Sequence, residues 1–478
     1  MEKGVNNTED KKQLNNQEQK KQTSLYFVGA GGIGMANLVR YYLRHGADVG
    51  GYDRTPSDLT AALEKEGAKL TFTDSEEEIP NEFQNPEETL VVYTPAVPDD
   101  NRILSWFRNH GFEVIKRAAL LGKITRHTEA ICIAGSHGKT TTCSMTANIL
   151  RNSAKGCTAF LGGILRNTGS NLVLDEKSKL SVIEADEYDR SFHHLSPQIA
   201  VVTSTDPDHL DIYGDKEHYL EAFSIFTSLI REGGTLITHT GLDYTPNVKP
   251  GVSVETYSGG AEGDWHTENI RYGNGKISFD LIGPGIRIND IEPGVPVEIN
   301  IDNAVAAAAA ALHAGATPEE VKEGLKSFRG ARRRFEIYLD GTEKEGGEIL
   351  IDDYAHSPNE VKASIASVKK LYPGKKLSVI FQPHLYTRTR DFANEFAEAL
   401  SEADEVIMPE IYPARELPIE GITSSIILDN VKSKEKRFCE RKDLLNLIKN
   451  SNFEILMTLG AADIDRLLPD IRKIFENR

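Results

Sequence analysis

The clearest chemical pattern in the sequence runs from Gly135 to Thr142 and reads Gly-Ser-His-Gly-Lys-Thr-Thr-Thr. Gly135 and Gly138 permit a sharp turn that points successive backbone N–H groups at one anion. Lys139 adds a positive charge, and the Thr140 hydroxyl is suitably placed for a Mg²⁺ that bridges two phosphates. Ile133 occupies the position of an earlier glycine in the full pattern. The sequence therefore predicts a shortened phosphate loop, with a plain glycine-rich turn before a helix as the alternative.

A second glycine-rich turn, Gly29 to Gly34, follows a predicted strand at Leu25–Val28 and precedes a predicted helix at Met35–His45. A further strand, Ala47–Tyr52, ends at Asp53. This order of strand, G-x-G-x-x-G turn, helix and acidic residue is typical of dinucleotide-binding folds. A nicotinamide-dependent oxidoreductase is one interpretation, and a turn that binds another diphosphate is the other.

Two acidic clusters follow predicted strands of the same unit. Glu184–Asp189 follows Leu180–Ile183, and Asp206–His209 follows Ile199–Thr203. The carboxyl ends of parallel strands meet at one sheet edge, where the phosphate loop would also lie. Carboxylates there can hold Mg²⁺, although acidic residues after strands also cap helices or face solvent. A weaker alternative is a zinc site built from three histidines, His193, His194 and His209.

The last third of the chain repeats this arrangement at the ends of four predicted strands. Its functional-looking segments are Asp352–Pro358, Gln382–Arg390, Ile411–Glu416 and Gly460–Asp463. Such a pattern is typical of a site closed between domains.

Two features lie between these units. A nearly pure alanine helix is predicted from Asn303 to His313, where small side chains allow close packing. The arginine run Arg332–Arg334 is equally compatible with a solvated surface and with a phosphate clamp.

Composition restricts the class of protein. A chain of 478 residues with 39% apolar and 27% charged residues predicts a globular protein of two to four domains. Its net charge of −17 argues against a nucleic-acid partner, and no apolar run has the length of a membrane span. The four cysteines form no C-x-x-C pair. We therefore expect a cytoplasmic protein, neither membrane-bound nor nucleic-acid-binding, with a disordered polar tail at residues 1–22.

These motifs, in this order, resemble the Mur ligases of peptidoglycan synthesis over residues 25–465. The matching segments are Gly29–Met35, Gly135–Thr142, Glu184–Glu187, Asp208–His209, Arg333–Phe335, Asp352–Pro358, Gln382–Arg390 and Gly460–Asp463. The resemblance implies an α/β fold with a Rossmann-like UDP-sugar domain (23–121), a central P-loop-type ATPase domain with a mainly parallel sheet (122–334) and a Rossmann-like amino-acid-binding domain (335–478).

The resemblance also implies an activity, the ATP- and Mg²⁺-dependent joining of L-alanine to the lactyl carboxylate of UDP-N-acetylmuramate through an acyl phosphate. The substrates are then UDP-N-acetylmuramate and L-alanine, and the enzyme is a monomer or homodimer. The segment Gln382–Arg390 favours the alanine enzyme over the family member that recycles the L-Ala-D-Glu-diaminopimelate tripeptide. A nicotinamide oxidoreductase and a non-catalytic sensor of UDP-sugar or ATP remain as further alternatives.

Site residues follow from the resemblance by position. The glycine turn would bind the UDP-sugar through Gly29, Gly31, Gly32, Ile33, Gly34 and Asp53. ATP would be bound by Gly135, Ser136, His137, Gly138, Lys139, Thr140, Thr141, Asn303, Arg334 and Asp353. Thr140, Glu184 and His209 would hold the metal, and Tyr354, His356, His384 and Arg388 would surround the amino acid. The expected catalytic residues are Lys139, His209, Arg334, His356 and Arg388.

Four positions depart from the family pattern. Ser136 replaces a threonine, and Ile299 stands where many members have a histidine near the adenine. Ser357 interrupts a common His-His-Pro, and Ala462 replaces the second glycine of Gly-Ala-Gly-Asp. We expect the serine at 136 and the alanine at 462 to leave the chemistry unchanged, whereas His356 must act without a neighbouring histidine.

Overall fold

The computed structural model describes residues 24–208, 210–273, 275–331, 335–341, 347–414 and 416–478. Three of the predictions above lie outside these residues: the polar tail at 1–22, the metal ligand His209 and the arginine run Arg332–Arg334. In the described part of the chain, every helix is too short or too polar to cross a bilayer.

The first sheet has five parallel strands in the order β3-β2-β1-β4-β5. The strands are β1 Ser24–Val28, β2 Asp48–Tyr52, β3 Lys69–Thr71, β4 Thr89–Tyr93 and β5 Glu113–Lys116. The helices are Ile33–Arg44, Asp58–Lys65, Arg102–Asn109 and Arg117–His127, with 3₁₀ turns at Glu76–Glu78 and Asn81–Phe83. The central strands β1 and β4 are apolar and almost wholly buried, as expected of parallel strands covered on both faces.

The helix Arg117–His127 runs through the predicted domain boundary near residue 122. Gly122 lies buried inside this helix, where it packs closely against the backbone of His194. The next sheet begins only at Glu129. The first and second domains therefore join through a packed helix, and no linker separates them at residue 122.

The central sheet has seven strands in the order β12-β11-β10-β6-β9-β7-β8, all parallel except β8. The strands are β6 Glu129–Ala134, β7 Thr158–Leu165, β8 Ser170–Val173, β9 Leu180–Glu184, β10 Ile199–Val202, β11 Thr235–His239 and β12 Ser253–Tyr257. The helices are Lys139–Arg151, Leu210–Tyr213, Lys216–Ser228, Ile299–His313 and Pro318–Ser327, with a 3₁₀ segment at Tyr188–His194. A small antiparallel sheet follows, with β13 His266–Gly273, β14 Lys276–Gly283 and β15 Ile286–Ile291.

The third sheet has six strands in the order β16-β17-β21-β18-β19-β20, parallel except for β16. The strands are β16 Glu336–Leu339, β17 Ile349–Asp353, β18 Leu377–Phe381, β19 Glu405–Met408, β20 Glu435–Phe438 and β21 Ile455–Leu459. The helices are Pro358–Leu371, Tyr386–Asp391, Ala393–Leu400, Ser425–Leu428, Leu444–Lys449 and Leu468–Glu476, with 3₁₀ turns at Arg441–Asp443 and Ile464–Leu467. The predicted fold class, α/β with three domains and mainly parallel sheets, is confirmed.

Two element boundaries differ from the sequence prediction, and both matter for the site. The alanine-rich helix begins at Ile299, so Asn303 lies one turn inside it and is buried. Strand β17 includes both Asp352 and Asp353, which were predicted to follow it. In each case pairing or packing with neighbouring elements extends the element past the end of the apolar run.

Polar contacts tie the first domain to the second. The Asn171 amide, which is fully buried, donates to the Ile33 carbonyl at 2.6 Å and accepts from Arg40 at 2.6 Å. The Asn37 amide donates to the Leu161 carbonyl at 3.4 Å. Since unpaired buried amides are destabilising, these contacts fix the glycine turn of the first domain relative to the central sheet.

Candidate active site

The predicted phosphate loop connects β6 to the helix Lys139–Arg151. Gly135 and Gly138 have φ angles of 140° and 81°, a region that favours glycine. Strand β6 lies between β9 and β10, so both acidic clusters follow the strands on either side of the loop. The arrangement is the one expected of an anion-binding loop at the N-terminus of a helix.

The cation of the loop is held by a buried carboxylate. The Lys139 ammonium lies 2.8 Å from Oε2 of Glu187 and donates to the Gly135 carbonyl. Glu187 is 1% exposed, and the Lys139 side chain is 14% exposed. Burial raises the pKa of the Glu187 carboxyl, and the charge of Lys139 opposes that rise. Lys139 is therefore fixed at the loop as one member of a buried ion pair.

The remainder of the loop is fixed by the segment after β10. The Ser136 hydroxyl donates to the Asp206 carbonyl at 2.6 Å and lies 2.8 Å from the Tyr219 hydroxyl. The His137 N–H donates to the Ser204 hydroxyl at 2.7 Å. The Ser136 hydroxyl thus links the loop to the segment after β10 and to the helix Lys216–Ser228. The His137 imidazole is exposed, 3.7 Å from Asp206.

Oxygen donors suited to Mg²⁺ meet at the first turn of the loop helix. The Thr140 hydroxyl donates to Oε1 of Glu184 at 2.9 Å, and the Gly162 N–H donates to Oε2 of the same carboxylate at 2.9 Å. Burial raises the pKa of the Glu184 carboxyl, against the hydrogen bond from Thr140 and the charge of Lys139. A hydroxyl beside an anchored carboxylate is the kind of donor set that Mg²⁺ prefers, so these residues fit the metal.

The described residues give no support to the zinc alternative. Within them, no three His, Cys, Asp or Glu side chains lie close enough together to hold a metal ion. The His193 imidazole lies 2.9 Å from the Ala222 carbonyl and stacks on Phe192. This hydrogen bond and the packing against an aromatic ring account for His193 as a half-buried structural residue.

Asn303 is placed against the phosphate loop. Its carbonyl oxygen accepts a hydrogen bond from the Thr142 hydroxyl at 3.0 Å, and its amide donates to Asn300 at 3.0 Å. A methyl group on Gly138 would approach within 2.7 Å of the Asn303 oxygen. The alanine-rich helix therefore supports the loop directly through Asn303. Thr141 is half-buried in the first turn of the loop helix, and Ile299 is 61% exposed at the start of the alanine-rich helix.

The glycine turn of the first domain is organised by Asp53. The Gly31 N–H donates to Oδ2 of Asp53 at 2.7 Å, and a methyl group on Gly31 would approach that oxygen within 2.8 Å. Gly29 has a φ of 88°, and its N–H donates to the Tyr52 carbonyl. Asp53 thus stabilises the turn itself.

One cavity of about 300 Å³ lies between the glycine turn of the first domain and the Glu184–Asp186 edge of the central sheet. It is lined on one side by Gly32, Ile33 and Gly34, and on the other by Gly162 and Glu184. Of the predicted metal ligands, Glu184 lines this cavity. Because Glu184 accepts a hydrogen bond from Thr140, the cavity lies next to the phosphate loop.

The residues predicted to bind the amino-acid substrate follow β17 and β18, and Asp353, which was predicted to bind ATP, is the last residue of β17. Oδ1 of Asp353 accepts a hydrogen bond from the Phe335 N–H at 3.2 Å, next to the arginine run. The Tyr354 and His356 rings make an edge contact with centroids 5.2 Å apart. Nδ1 of His356 lies 3.0 Å from the Tyr354 carbonyl and 3.3 Å from Glu360.

Ser357 has a structural explanation. It is the N-cap of the helix Pro358–Leu371, and its side chain forms a capping box with Glu360. Serine is among the preferred N-cap residues, because its oxygen accepts a free N–H of the first turn. The serine that interrupts the His-His-Pro pattern is therefore the N-cap of the helix that follows His356.

His384 lies in the loop after β18, and Arg388 lies in the helix Tyr386–Asp391 that follows this loop. The His384 ring stacks on Tyr412 at 6.0 Å, and the Thr387 N–H donates to Glu416 at 3.0 Å. Arg388 is half-buried and forms no ion pair with any residue in the described ranges. A half-buried guanidinium without a carboxylate partner is suited to binding an anionic ligand.

Comparison with known proteins agrees with this geometry. Family models for the Mur ligase family catalytic domain, the Mur ligase middle domain and the Mur ligase glutamate ligase domain match residues 24–129, 133–311 and 333–452. The chain belongs to the Mur ligase family. The alanine at position 462 is compatible with this membership. Ala462 does not have a positive φ, so its backbone conformation needs no glycine.

Individual relatives of this Mur ligase are similar over nearly the whole chain. A UDP-N-acetylmuramate–L-alanine ligase of Parabacteroides distasonis is 53% identical over 95% of this chain and 97% of its own length. One from Phocaeicola vulgatus is 54% identical over 94% and 97%. The crystal structure of the UDP-N-acetylmuramate-alanine ligase MurC from Thermotoga maritima aligns with a TM-score of 0.78 at 28% identity, covering 95% of this chain and 99% of that one.

Several important residues were missed by the sequence analysis. Glu187 was grouped with a possible metal cluster and is instead the partner of Lys139. Gly162, which anchors Glu184, and Arg117, which lines the shared cavity, were not singled out. The Gly162-Gly163 pair inside an otherwise apolar strand was an available signal, since glycine within a strand often marks a close approach.

Proposed function

We propose that this chain joins L-alanine to the lactyl carboxylate of UDP-N-acetylmuramate, with conversion of ATP to ADP and phosphate. The observation that carries the proposal is a cavity lined by both the glycine turn and Glu184, with the phosphate loop beside it. Two phosphate-bearing substrates can thus meet at one place. The high identity to ligases of this name supports the choice of substrates.

In the proposed reaction the lactyl carboxylate attacks the γ-phosphate of ATP and forms an acyl phosphate, with ADP as the leaving group. The amine of L-alanine then attacks the acyl carbon, and phosphate leaves as the amide forms. No protein nucleophile takes part. The task of the protein is to bring anionic groups together and to neutralise the charge that develops between them.

Each domain contributes its own groups to this task. Lys139 binds the ATP phosphates, and Thr140, Glu184 and His209 would hold Mg²⁺. Bound there, Mg²⁺ would neutralise phosphate charge and polarise the phosphorus–oxygen bonds. The glycine turn from Gly29 binds the diphosphate of the sugar nucleotide.

The third domain supplies the amino-acid site. Tyr354, His356, His384 and Arg388 surround the alanine and the reacting carboxylate, while Asp353 and Arg334 approach the nucleotide. The third domain closes over the other two during turnover, which excludes water from the acyl phosphate. ATP and the sugar nucleotide as substrates support a cytoplasmic location.

Phosphate release tests the proposal directly. The purified protein is incubated with ATP, Mg²⁺ and UDP-N-acetylmuramate, and single amino acids are added in turn. Release that requires both the sugar nucleotide and L-alanine is the expected result. Release that ignores alanine and responds to the L-Ala-D-Glu-diaminopimelate tripeptide would move the activity to tripeptide recycling, and a lack of release with every acceptor would refute ligation.

A further inference from the structure

Arg117 is a cation in the cavity between the glycine turn of the first domain and Glu184, and the family motifs above do not include it. It is the first residue of the helix after β5, so it projects from the carboxyl edge of the first sheet. Its side chain is 19% exposed. The guanidinium lies against the glycine turn, since a methyl group on Gly34 would come within 2.7 Å of its Nη1 atom.

Among the described residues, the ion pair that Arg117 forms is a long one, which leaves most of its guanidinium donors available to a ligand. Its one ion pair with a described residue is with Asp186, at 3.5 Å, which is beyond the usual length of a strong charged hydrogen bond. Glu184 also lines the cavity, and Arg117 is the only basic residue among the described lining residues. A ligand with a carboxylate would be repelled by these two acidic side chains unless Arg117 balanced their charge.

The position of Arg117 indicates which anionic group of the sugar nucleotide it binds. The backbone N–H groups at the start of the helix Ile33–Arg44 are suited to a diphosphate. Arg117 lies between that helix and the Glu184–Asp186 edge of the central domain. A carboxylate on its way from the diphosphate to the γ-phosphate of ATP must cross this space, and arginine binds carboxylates through two parallel hydrogen bonds.

We propose that Arg117 binds the lactyl carboxylate of the sugar nucleotide and directs it towards the phosphate loop. This assignment rests on the proposed function and adds to it the residue that recognises the reacting group. Under this assignment, a sugar nucleotide with the lactyl group binds more tightly than one without it.

The test compares two ligands that differ only by the lactyl group, UDP-N-acetylmuramate and UDP-N-acetylglucosamine. Their binding is measured by calorimetry, without ATP, to wild type, Arg117→Ala and Arg117→Lys. Loss of a charged hydrogen-bonding partner should weaken binding of UDP-N-acetylmuramate by roughly 10- to 100-fold in Arg117→Ala. Binding of UDP-N-acetylglucosamine should change less than about threefold, and Arg117→Lys, which keeps the charge without the fork, should be intermediate.

Lys116 provides a matched control. It is the adjacent cation, but it pairs with Asp189 at 2.7 Å and does not line the cavity. Lys116→Ala should therefore leave the binding of both ligands unchanged. Thermal unfolding of each variant shows whether it is folded, and Arg117→Lys carries the test if Arg117→Ala does not fold.

Three results would overturn the assignment. Unchanged binding of UDP-N-acetylmuramate to the folded Arg117 variants would show that Arg117 does not touch it. An equal loss for both ligands would place the arginine on the diphosphate. If the wild type bound neither ligand, the proposed function itself would fail, and the assignment with it.

Discussion

Replacing Lys139 should affect stability and catalysis for two separable reasons. In the ligand-free protein Lys139 neutralises Glu187, which is 1% exposed. Lys139→Ala leaves that carboxylate buried without its partner, a change that typically costs about 3–5 kcal/mol. The same substitution removes a preorganised charge at the phosphate site and should lower turnover by roughly 10² or more.

The free-energy cost of the unpaired buried charge has an upper limit, because the Glu187 carboxylate can become protonated. With an ordinary pKa of 4.5, protonating the carboxyl at pH 7 costs about 3.4 kcal/mol at 1.36 kcal/mol per pH unit. For a domain of this size that corresponds to a fall in Tm of roughly 7–14 °C. Burial raises the pKa of this carboxyl in the folded state, so the penalty grows as pH rises and largely disappears near pH 5.

The assay combines thermal unfolding with phosphate release for wild type, Lys139→Ala, Glu187→Gln and the double variant. Adding Glu187→Gln to Lys139→Ala should restore most of the lost Tm at pH 7.5 and none of the lost turnover. Lowering the pH to 5.5 should narrow the Tm difference between Lys139→Ala and wild type. The reasoning is refuted if the double variant is as unstable as Lys139→Ala, or if the difference is the same at both pH values.

Four further predictions concern other parts of the molecule. Gly162→Ala should lower turnover at least tenfold and raise the Mg²⁺ requirement, because the new methyl group would overlap both Glu184 oxygens; Gly163→Ala, whose methyl would meet atoms only at 3.3 Å or more, is the control for titrations of activity against Mg²⁺. Ser357→Ala should lower stability by about 1 kcal/mol in thermal unfolding, and Ser357→Asp, which keeps a cap acceptor, should recover it. Deleting residues 1–22 should leave phosphate release intact, and a large loss would contradict the prediction of a dispensable tail. Small-angle X-ray scattering should show a smaller radius of gyration with ATP analogue, Mg²⁺ and UDP-N-acetylmuramate all bound, whereas an unchanged radius would contradict domain closure.

The parts of the site that were predictable are those fixed by local backbone geometry. The spacing of Gly135, Gly138 and Lys139 can be recognised because a phosphate loop needs those residue types within a few positions of one another. The glycine turn Gly29 to Gly34 is predictable for the same reason. The fold class is predictable because strands alternate with helices along the chain.

The unpredicted parts depend on contacts between segments far apart in sequence. Glu187 meets Lys139 across 48 residues, and Arg117 meets Asp186 across 69. Composition and periodicity carry no information on which carboxylate of an acidic cluster turns inward. The helix that carries Asn303 begins one turn earlier than the alanine pattern predicts, because Ile299–Asp302 belongs to the helix without contributing alanines.

The most direct test of the central claim follows one oxygen atom. UDP-N-acetylmuramate labelled with ¹⁸O at both lactyl carboxylate oxygens is incubated with ATP, Mg²⁺ and L-alanine, and the phosphate and the amide product are analysed by mass spectrometry. An acyl phosphate requires one ¹⁸O in the released phosphate and one in the amide. Unlabelled phosphate formed together with the alanine product would contradict the account, because the carboxylate would then have been activated by another route.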